Sequence, residues 1–132
     1  MTKNKLQVPI KNGRGIASLN VAANQKVVEI YKAKARSVMD IQLNRIAQKN
    51  LSLAAYALYM HFMSNLHGYK EILSVKAVTA TTALGEKNYY KAVNELIEKQ
   101  YLVKTDNADI LNYYIFFEDP RLKAQKEESD WN

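Results

Sequence analysis

The chain has 132 residues, a formal net charge of +6 and no cysteine. This length suits one domain, with enough apolar residues to build a core without metals or disulfides. The lack of cysteine excludes disulfide scaffolds, cysteine-based zinc fingers and thiol catalysis. The first residues lack the apolar run of a signal peptide, and no run approaches the roughly 20 residues of a membrane span. We therefore expect a cytoplasmic protein with no membrane partner.

Residues 1–25 are polar, basic and rich in asparagine, and they predict a flexible arm with at most one short strand. Five basic residues and no acidic residue lie before Glu29. The basic residues are Lys3, Lys5, Lys11, Arg14 and Lys26. A basic arm of this kind adds phosphate contacts to a nucleic-acid-binding domain. The alternative is a solvated, disordered N-terminus.

Residues 26–43 are rich in β-branched side chains. Their pattern fits a helical stripe and also fits strands, so the pattern alone leaves both interpretations open. We favour extended structure that leads into the core.

Residues 51–66 predict the clearest helix of the chain. Ser52 is a good N-cap, and Leu51 precedes it where a hydrophobic staple residue belongs. Apolar residues cover nearly every side of this segment, as in a helix at the centre of a domain. His67 and Gly68 are expected to end the helix.

A short strand over residues 69–73 and a second helix over residues 74–83 come next. Ser74 caps this helix, and Val75 and Val78 are expected to face inward. Because its threonines lower helix propensity, packing must hold it in place. Gly85 then suits the sharp turn before a third helix.

Residues 86–99 predict an amphipathic third helix whose two sides differ in chemistry. At about 100° per residue, the apolar side consists of Tyr89, Ala92, Val93, Leu96 and Ile97. The opposite side is basic and amide-bearing, with Lys87, Lys91 and Asn94 at its centre and Asn88 and Tyr90 on its flanks.

Two strand-like runs, residues 101–104 and 112–117, follow the third helix, and the polar loop between them predicts a β-hairpin. The order of elements predicts an α+β winged helix-turn-helix domain over residues 26–118, with three core helices and a small antiparallel sheet whose hairpin is the wing. Residues 119–132 are expected to be a C-terminal tail, either a short helix or disordered, with Trp131 as its one candidate anchor.

The third helix is the predicted recognition helix, because such a helix reads base edges in the major groove with residues near its N-terminus. Lysine donates to phosphates or guanine, asparagine pairs with adenine, and tyrosine offers a hydroxyl and a ring. We expect Lys76, Lys104 and the basic arm to hold the DNA backbone, with wing contacts made mainly by Lys104 and Asn107. The predicted DNA-binding residues are Lys76, Lys87, Asn88, Tyr90, Lys91, Asn94, Lys104 and Asn107. The alternative is that these lysines and asparagines form only a solvated helix face.

Signals for chemistry are weak. His61 and His67 lie six residues apart, which is not a metal-ligand spacing on a helix, and His61 is expected to be a partly buried polar residue. No serine, histidine and carboxylate grouping predicts nucleophilic catalysis. We therefore expect no enzyme activity, no metal and no cofactor.

Three runs resemble the N-terminal winged-helix domain of Firmicute phage and plasmid replication proteins, the replisome organisers and initiators of the DnaD-associated type. These runs are LSLAAYALYMHFMSN, GYKEILSVKAV and LGEKNYYKAVNELIEKQYLV. The family's LS-x-x-A helix is approximated by Leu51, Ser52 and Ala55. Its YYKA-x-x-EL-x-x-x-GYL pattern is matched by Tyr89, Tyr90, Lys91, Ala92, Glu95, Leu96, Tyr101 and Leu102. The resemblance covers residues 27–118. Gln100 stands where the family has glycine, and nothing corresponds to the family's second domain.

We therefore expect a sequence-specific, double-stranded DNA-binding protein of a bacterial phage or plasmid that acts in replication initiation or DNA transfer. The alternatives are a protein-interaction module that regulates or inhibits a host complex, and a small transcriptional regulator. A neutral surface around Lys87 and Lys91 would suit a protein partner, and a basic one would suit DNA. The acids that decide this are Glu86, Glu98, Asp106 and Asp109. Candidate protein partners are a second copy of the chain and proteins of replication or transfer; no small-molecule substrate is expected.

Overall fold

A computed structural model of the chain describes residues 5–12, 15–22, 25–31, 40–64 and 70–130. In these residues the chain forms five helices and six strands. In chain order they are β1 (Lys5–Asn12), β2 (Gly15–Ala22), β3 (Lys26–Ile30), α1 (Ile41–Asn50), α2 (Leu53–Met63), β4 (Lys70–Leu73), α3 (Val75–Thr81), α4 (Glu86–Glu98), β5 (Leu102–Thr105), β6 (Tyr113–Phe116) and α5 (Leu122–Asp130). The predicted α+β class is confirmed.

The segment predicted as a basic arm contains two strands, where at most one was expected. β1 and β2 pair antiparallel over their full lengths and form a sheet of their own. Apolar and polar residues alternate in β1, from Leu6 through Val8 to Ile10, and this period of two is the signal of a strand. The flexibility of the arm stays a prediction.

The second sheet has four strands in the order β4, β3, β6, β5. β3 pairs antiparallel with β4 and parallel with β6, and β5 pairs antiparallel with β6. The predicted antiparallel hairpin is present as β5 and β6, but the sheet as a whole is mixed, because β3 pairs parallel with β6. Val28 and Ile30 are buried on one face of the sheet and Val27 on the other, so β3 is covered on both faces, as a central parallel strand is.

The interpretation of residues 26–43 as extended is confirmed for β3 and wrong for the start of α1. The Asp40 carboxylate accepts hydrogen bonds from the backbone N–H groups of Gln42 and Leu43 at 2.9 and 3.1 Å, and this cap begins α1. Residues 32–39 lie outside the described residues.

Helix α2 is the centre of the larger core, as its apolar sequence predicted. Ser52 caps it by accepting from the N–H of Ala55 at 3.2 Å. Tyr59 and Phe62 are fully buried, whereas Leu53 is 91% exposed and is the exception to the all-round apolar prediction. Helix α2 ends at Met63 with Ser64 as C-cap, so the prediction of a helix that continues to His67 and Gly68 was wrong; those two residues lie outside the described residues.

Helices α2, α3 and α4 cover one face of the four-stranded sheet, and α4 packs against α2, α3 and β5. The opposite face carries a smaller apolar cluster, against which Leu122 of α5 packs. The tail thus begins with a helix, one of its two predicted forms, and Trp131 lies outside the described residues. This arrangement holds α4 by its apolar side and leaves its other side facing away from the core.

Candidate nucleic-acid interface

Helix α4 carries most of the predicted site. It begins at Glu86, after Gly85 as N-cap, and the N–H of Tyr89 donates to the carbonyl of Gly85 at 2.9 Å. Gly85 has no side chain that could cap the helix. The negative charge of Glu86 in the first turn instead interacts favourably with the positive end of the helix dipole. Four of the five residues predicted from the helical wheel are buried, namely Tyr89, Ala92, Val93 and Leu96, and the fifth, Ile97, is partly buried and packs against the core.

The five predicted reading residues come together on the exposed side of α4. All of them are exposed: Lys87, Asn88, Tyr90, Lys91 and Asn94. Within the described residues, the two lysines form no ion pair and the two asparagine side chains form no hydrogen bond. Cations and amides that have no partner in the described part of the chain are candidates for contacts with an external ligand.

The four acids that could neutralise this surface do not pair with it. Glu86 and Glu98 are exposed at opposite ends of α4, and Asp106 and Asp109 are exposed in the hairpin loop. In the described part of the chain, none of these acids forms an ion pair with Lys87 or Lys91. Direct ion pairs with these four acids therefore do not neutralise the surface around Lys87 and Lys91.

Tyr90 is held in place by its buried neighbour. Its ring packs edge-on against Tyr89, with ring centroids 5.1 Å apart and an angle of 78° between the planes. Burial raises the pKa of Tyr89 to about 12, so this neighbour remains an uncharged apolar support near neutral pH. Tyr90 itself is 53% exposed, so its ring is available for contacts outside the protein.

The C-terminal half of α4 is tied to the junction between α1 and α2. The Glu95 carboxylate accepts from the N–H of Ser52 at 2.8 Å, and the Lys99 ammonium donates to the carbonyl of Asn50 at 2.6 Å. Ser52 is the N-cap of α2, and Ala55 occupies the position where a capping box has glutamate or glutamine. Glu95 supplies that missing acceptor from another helix, a role that our sequence analysis missed.

The electrostatics of Glu95 follow from these bonds. Burial raises its pKa, but the bonds from Ser52 and the positive charge of Lys99 outweigh this effect and hold it below the ordinary value. The side chains of Lys99 and Glu95 also lie 3.4 Å apart as a pair four residues apart on the helix. Glu95 and Lys99 are thus engaged with each other and with backbone groups of Ser52 and Asn50. Among the described residues, the cations of α4 without an ion pair are Lys87 and Lys91, which lie nearer the N-terminus of the helix.

The end of α4 is a Schellman motif centred on Gln100. The N–H of Tyr101 donates to the carbonyl of Leu96, and the N–H of Gln100 donates to the carbonyl of Ile97, at 2.9 and 3.1 Å. Gln100 has a φ of 70°, the left-handed region where glycine is preferred. Gln100, which stands where the replication proteins named above have glycine, is therefore a position at which this fold requires a positive φ.

The remaining predicted residues lie on other elements. Lys76 is exposed in the first turn of α3, and Lys104 is exposed on β5. Asn107 is exposed in the hairpin loop, where its side-chain oxygen accepts from the N–H groups of Asp109 and Ile110 at 2.9 and 3.0 Å. Asn107 thus closes the loop over a buried Ile110, so its oxygen already has a structural use.

His61 is partly buried, as predicted, and it joins three elements. Its Nε2 lies 3.2 Å from the Glu71 carboxylate on β4, and its Nδ1 lies 3.4 Å from the Thr81 hydroxyl on α3. The Thr81 hydroxyl also lies 3.1 Å from the carbonyl of Ala77 and donates to it. The sequence could not reveal this grouping because its members come from separate elements, and the arrangement ties α2 to α3 and β4.

No helix among the described residues is both long enough and apolar enough to cross a membrane. In the same residues, no group of three or more histidine, aspartate or glutamate side chains is placed to hold a metal ion. No protein-family model, curated protein sequence or solved structure matches the chain.

Proposed function

We propose that this protein is a winged helix-turn-helix protein that binds double-stranded DNA in a sequence-specific manner. The order α2, β4, α3, α4, β5, β6 supports this, because α3 and α4 would form the helix-turn-helix and the β5–β6 hairpin would be its wing. In this proposal β3 is an addition to the winged domain, inserted between β4 and β6.

One observation carries the proposal. Helix α4 buries its apolar side in the core and exposes a stripe of two lysines, two asparagines and a tyrosine, with no acid paired to the lysines in the described residues. The rival surface, suited to a protein partner, needs those charges neutralised.

Each predicted residue has a role in the proposal. Lys76 on α3 and Lys104 on β5 would hold phosphates, since such contacts fix the position of a protein on the duplex. The five residues of α4 would lie along the major groove, where Asn88, Tyr90 and Asn94 would contact base edges and the two lysines would neutralise phosphates. Asn107 would contribute to the wing through its amide nitrogen, because its oxygen closes the loop.

The biological role proposed from the resemblance is replication initiation or DNA transfer on a bacterial phage or plasmid. DNA binding of this kind would take place in the cytoplasm. A second copy of the chain is a reasonable partner, since one small reading head seldom gives enough affinity for a specific site.

The test is a titration of the protein against duplex DNA across a series of salt concentrations. The slope of log affinity against log salt counts the phosphates neutralised, at about 0.9 per contact. The double variant Lys87→Ala with Lys91→Ala should bind more weakly to every sequence, and its slope should be lower by about two units.

A matched control is available on α1. Arg45 and Lys49 are exposed and four residues apart, the same spacing as Lys87 and Lys91. Replacing both with alanine removes the same charge, and the slope should stay within experimental error of the wild-type value. An equal change in both double variants would mean that net charge alone, and not α4, carries the binding.

Asn94→Ala separates base reading from backbone binding. Loss of a two-point contact to a base should cost about 1–3 kcal/mol on the specific site and almost nothing on random DNA. Equal losses on the two kinds of DNA would contradict a reading role for Asn94.

A further inference from the structure

We infer that the DNA sites of this protein are rich in A·T pairs where α4 contacts the major groove, and that Asn88, Tyr90 and Asn94 make this selection. This inference rests on the proposed function and names the kind of DNA that the same site prefers. It follows from which base-reading side chains the exposed side of α4 carries and which it lacks.

The side chain that most often reads guanine is absent from α4. Arginine is the commonest reader of guanine, because its planar fork donates to both acceptors on the major-groove edge. The sequence of α4 contains no arginine. Of the arginines in the described residues, Arg45 lies on α1, and Arg121 donates to the Asp119 carboxylate at 2.9 and 3.0 Å.

The amides of α4 have the chemistry of adenine readers. The side-chain amide of asparagine accepts from the N6 amine of adenine and donates to its N7. Asn88 and Asn94 are both exposed. At about 100° per residue, they lie roughly 60° to either side of Lys91, and their separation along the helix axis is about 9 Å. That distance corresponds to about two or three base pairs at 3.4 Å each.

Tyr90 adds an apolar contact next to the amide of Asn94. Its ring packs edge-on against the buried Tyr89, and the residue is 53% exposed. Asn94 follows Tyr90 by one helical turn, so the two side chains are neighbours on the surface. A fixed aromatic ring beside an adenine-reading amide suits the C5 methyl group of thymine, which is the apolar feature of the major groove.

The two lysines do not reverse this preference. Lysine is a flexible point charge with three rotatable donors, in contrast to the planar fork of arginine. Around the helix axis Lys87 and Lys91 lie between Asn88 and Asn94, and their long side chains can reach phosphates as well as base edges. Assigning them to phosphates leaves Asn88, Tyr90 and Asn94 as the residues that select the bases.

The experiment starts with selection of bound duplexes from a random library by the full-length protein. The selected duplex is then made with 7-deazaadenine in place of single adenines, which removes N7, and with uracil in place of single thymines, which removes the methyl group. Affinities are measured by fluorescence anisotropy for the wild-type protein and for Asn88→Ala, Asn94→Ala and Tyr90→Ala. Gln48→Ala, an exposed amide on α1, is the control.

Selection should enrich A·T pairs at the contacted positions. One 7-deazaadenine should weaken binding of the wild-type protein by about tenfold, within the range expected for a two-point base contact. Asn88→Ala and Asn94→Ala should each lose the sensitivity to 7-deazaadenine at the adenine that the replaced asparagine contacts, Tyr90→Ala should lose the sensitivity to uracil, and Gln48→Ala should keep both.

The outcomes separate the two proposals. Enrichment of G·C pairs, or binding without any base preference, would overturn this inference and leave DNA binding by α4 standing. Retention of sensitivity to 7-deazaadenine at every adenine of the site in both asparagine variants would overturn the assignment of adenine reading to Asn88 and Asn94. The failure of any duplex to bind would overturn the proposed function and the inference together.

Discussion

Gln100 occupies the one described non-glycine position with a positive φ, at 70°, and replacing it with glycine should stabilise the protein. A side chain in the left-handed region costs about 1–2 kcal/mol in the folded state. Glycine avoids that cost, but its greater freedom in the unfolded chain costs about 0.5–1 kcal/mol. We therefore expect Gln100→Gly to raise the free energy of unfolding by about 0.5–1 kcal/mol, which is about 2–4 °C in Tm for a chain of this size.

The residues around Gln100 hold its backbone at a positive φ, so the expected increase in stability should be observed. The Schellman hydrogen bonds from Tyr101 to Leu96 and from Gln100 to Ile97 use backbone groups only, so glycine keeps both of them. Leu96 and Tyr101 are almost fully buried and fix the direction in which the chain leaves α4. The backbone cannot relax away from the positive φ without moving these two core residues.

Thermal unfolding followed by circular dichroism measures the change, and Gln48→Gly is the matched control. Gln48 lies inside α1 and is exposed, so the same substitution there should destabilise the protein by about 0.5–1 kcal/mol. The two variants should therefore change Tm in opposite directions. A fall in Tm for Gln100→Gly comparable to that of Gln48→Gly would refute the argument from backbone conformation.

Two further predictions concern the packing around α2. Because the folded-state pKa of Glu95 lies below its ordinary value of 4.5, its charge contributes stability that is fully present above pH 4.5 and is lost as the pH falls through the folded-state pKa. Glu95→Gln should lower the free energy of unfolding by about 0.5–1 kcal/mol at neutral pH. In a series of Tm measurements, the difference between the variant and the wild type should disappear below pH 4.5. A difference that does not change with pH would contradict this prediction. The fully buried Tyr59 hydroxyl donates to the carbonyl of Glu118 at 2.9 Å, so Tyr59→Phe should cost about 1–2 kcal/mol in urea unfolding, and an unchanged midpoint would show that this bond contributes nothing.

The two ends of α4 have different tasks in this picture. From Lys87 to Asn94 its exposed side presents polar side chains that have no partner among the described residues, whereas Glu95 and Lys99 anchor its C-terminal end to the backbone of Ser52 and Asn50. An anchored helix loses little additional freedom when it binds a ligand, and this reduces the cost of association. The stability variants above therefore also bear on binding, and affinity for duplex DNA should be measured on each of them.

Local sequence patterns were sufficient for the elements that surround the candidate site. Ser52 and Ser74 are N-caps because their side chains can accept from the helix N–H groups, and the structure places them there. The helical wheel separated the buried side of α4, including Tyr89 and Leu96, from the exposed side that carries Lys91. These features depend on neighbours within one helical turn, and for that reason the sequence alone reveals them.

Other features depend on contacts between residues far apart in the chain. The parallel pairing of β3 with β6 joins residues more than 80 positions apart, and no local pattern encodes the partner of a strand. Glu95 likewise reads as an ordinary helix-surface acid until packing brings the N–H of Ser52 to it. Sequence periodicity thus determined which side of α4 faces outward, whereas tertiary packing alone decided how α4 is anchored and which strand lies at the centre of the sheet, because both result from long-range burial.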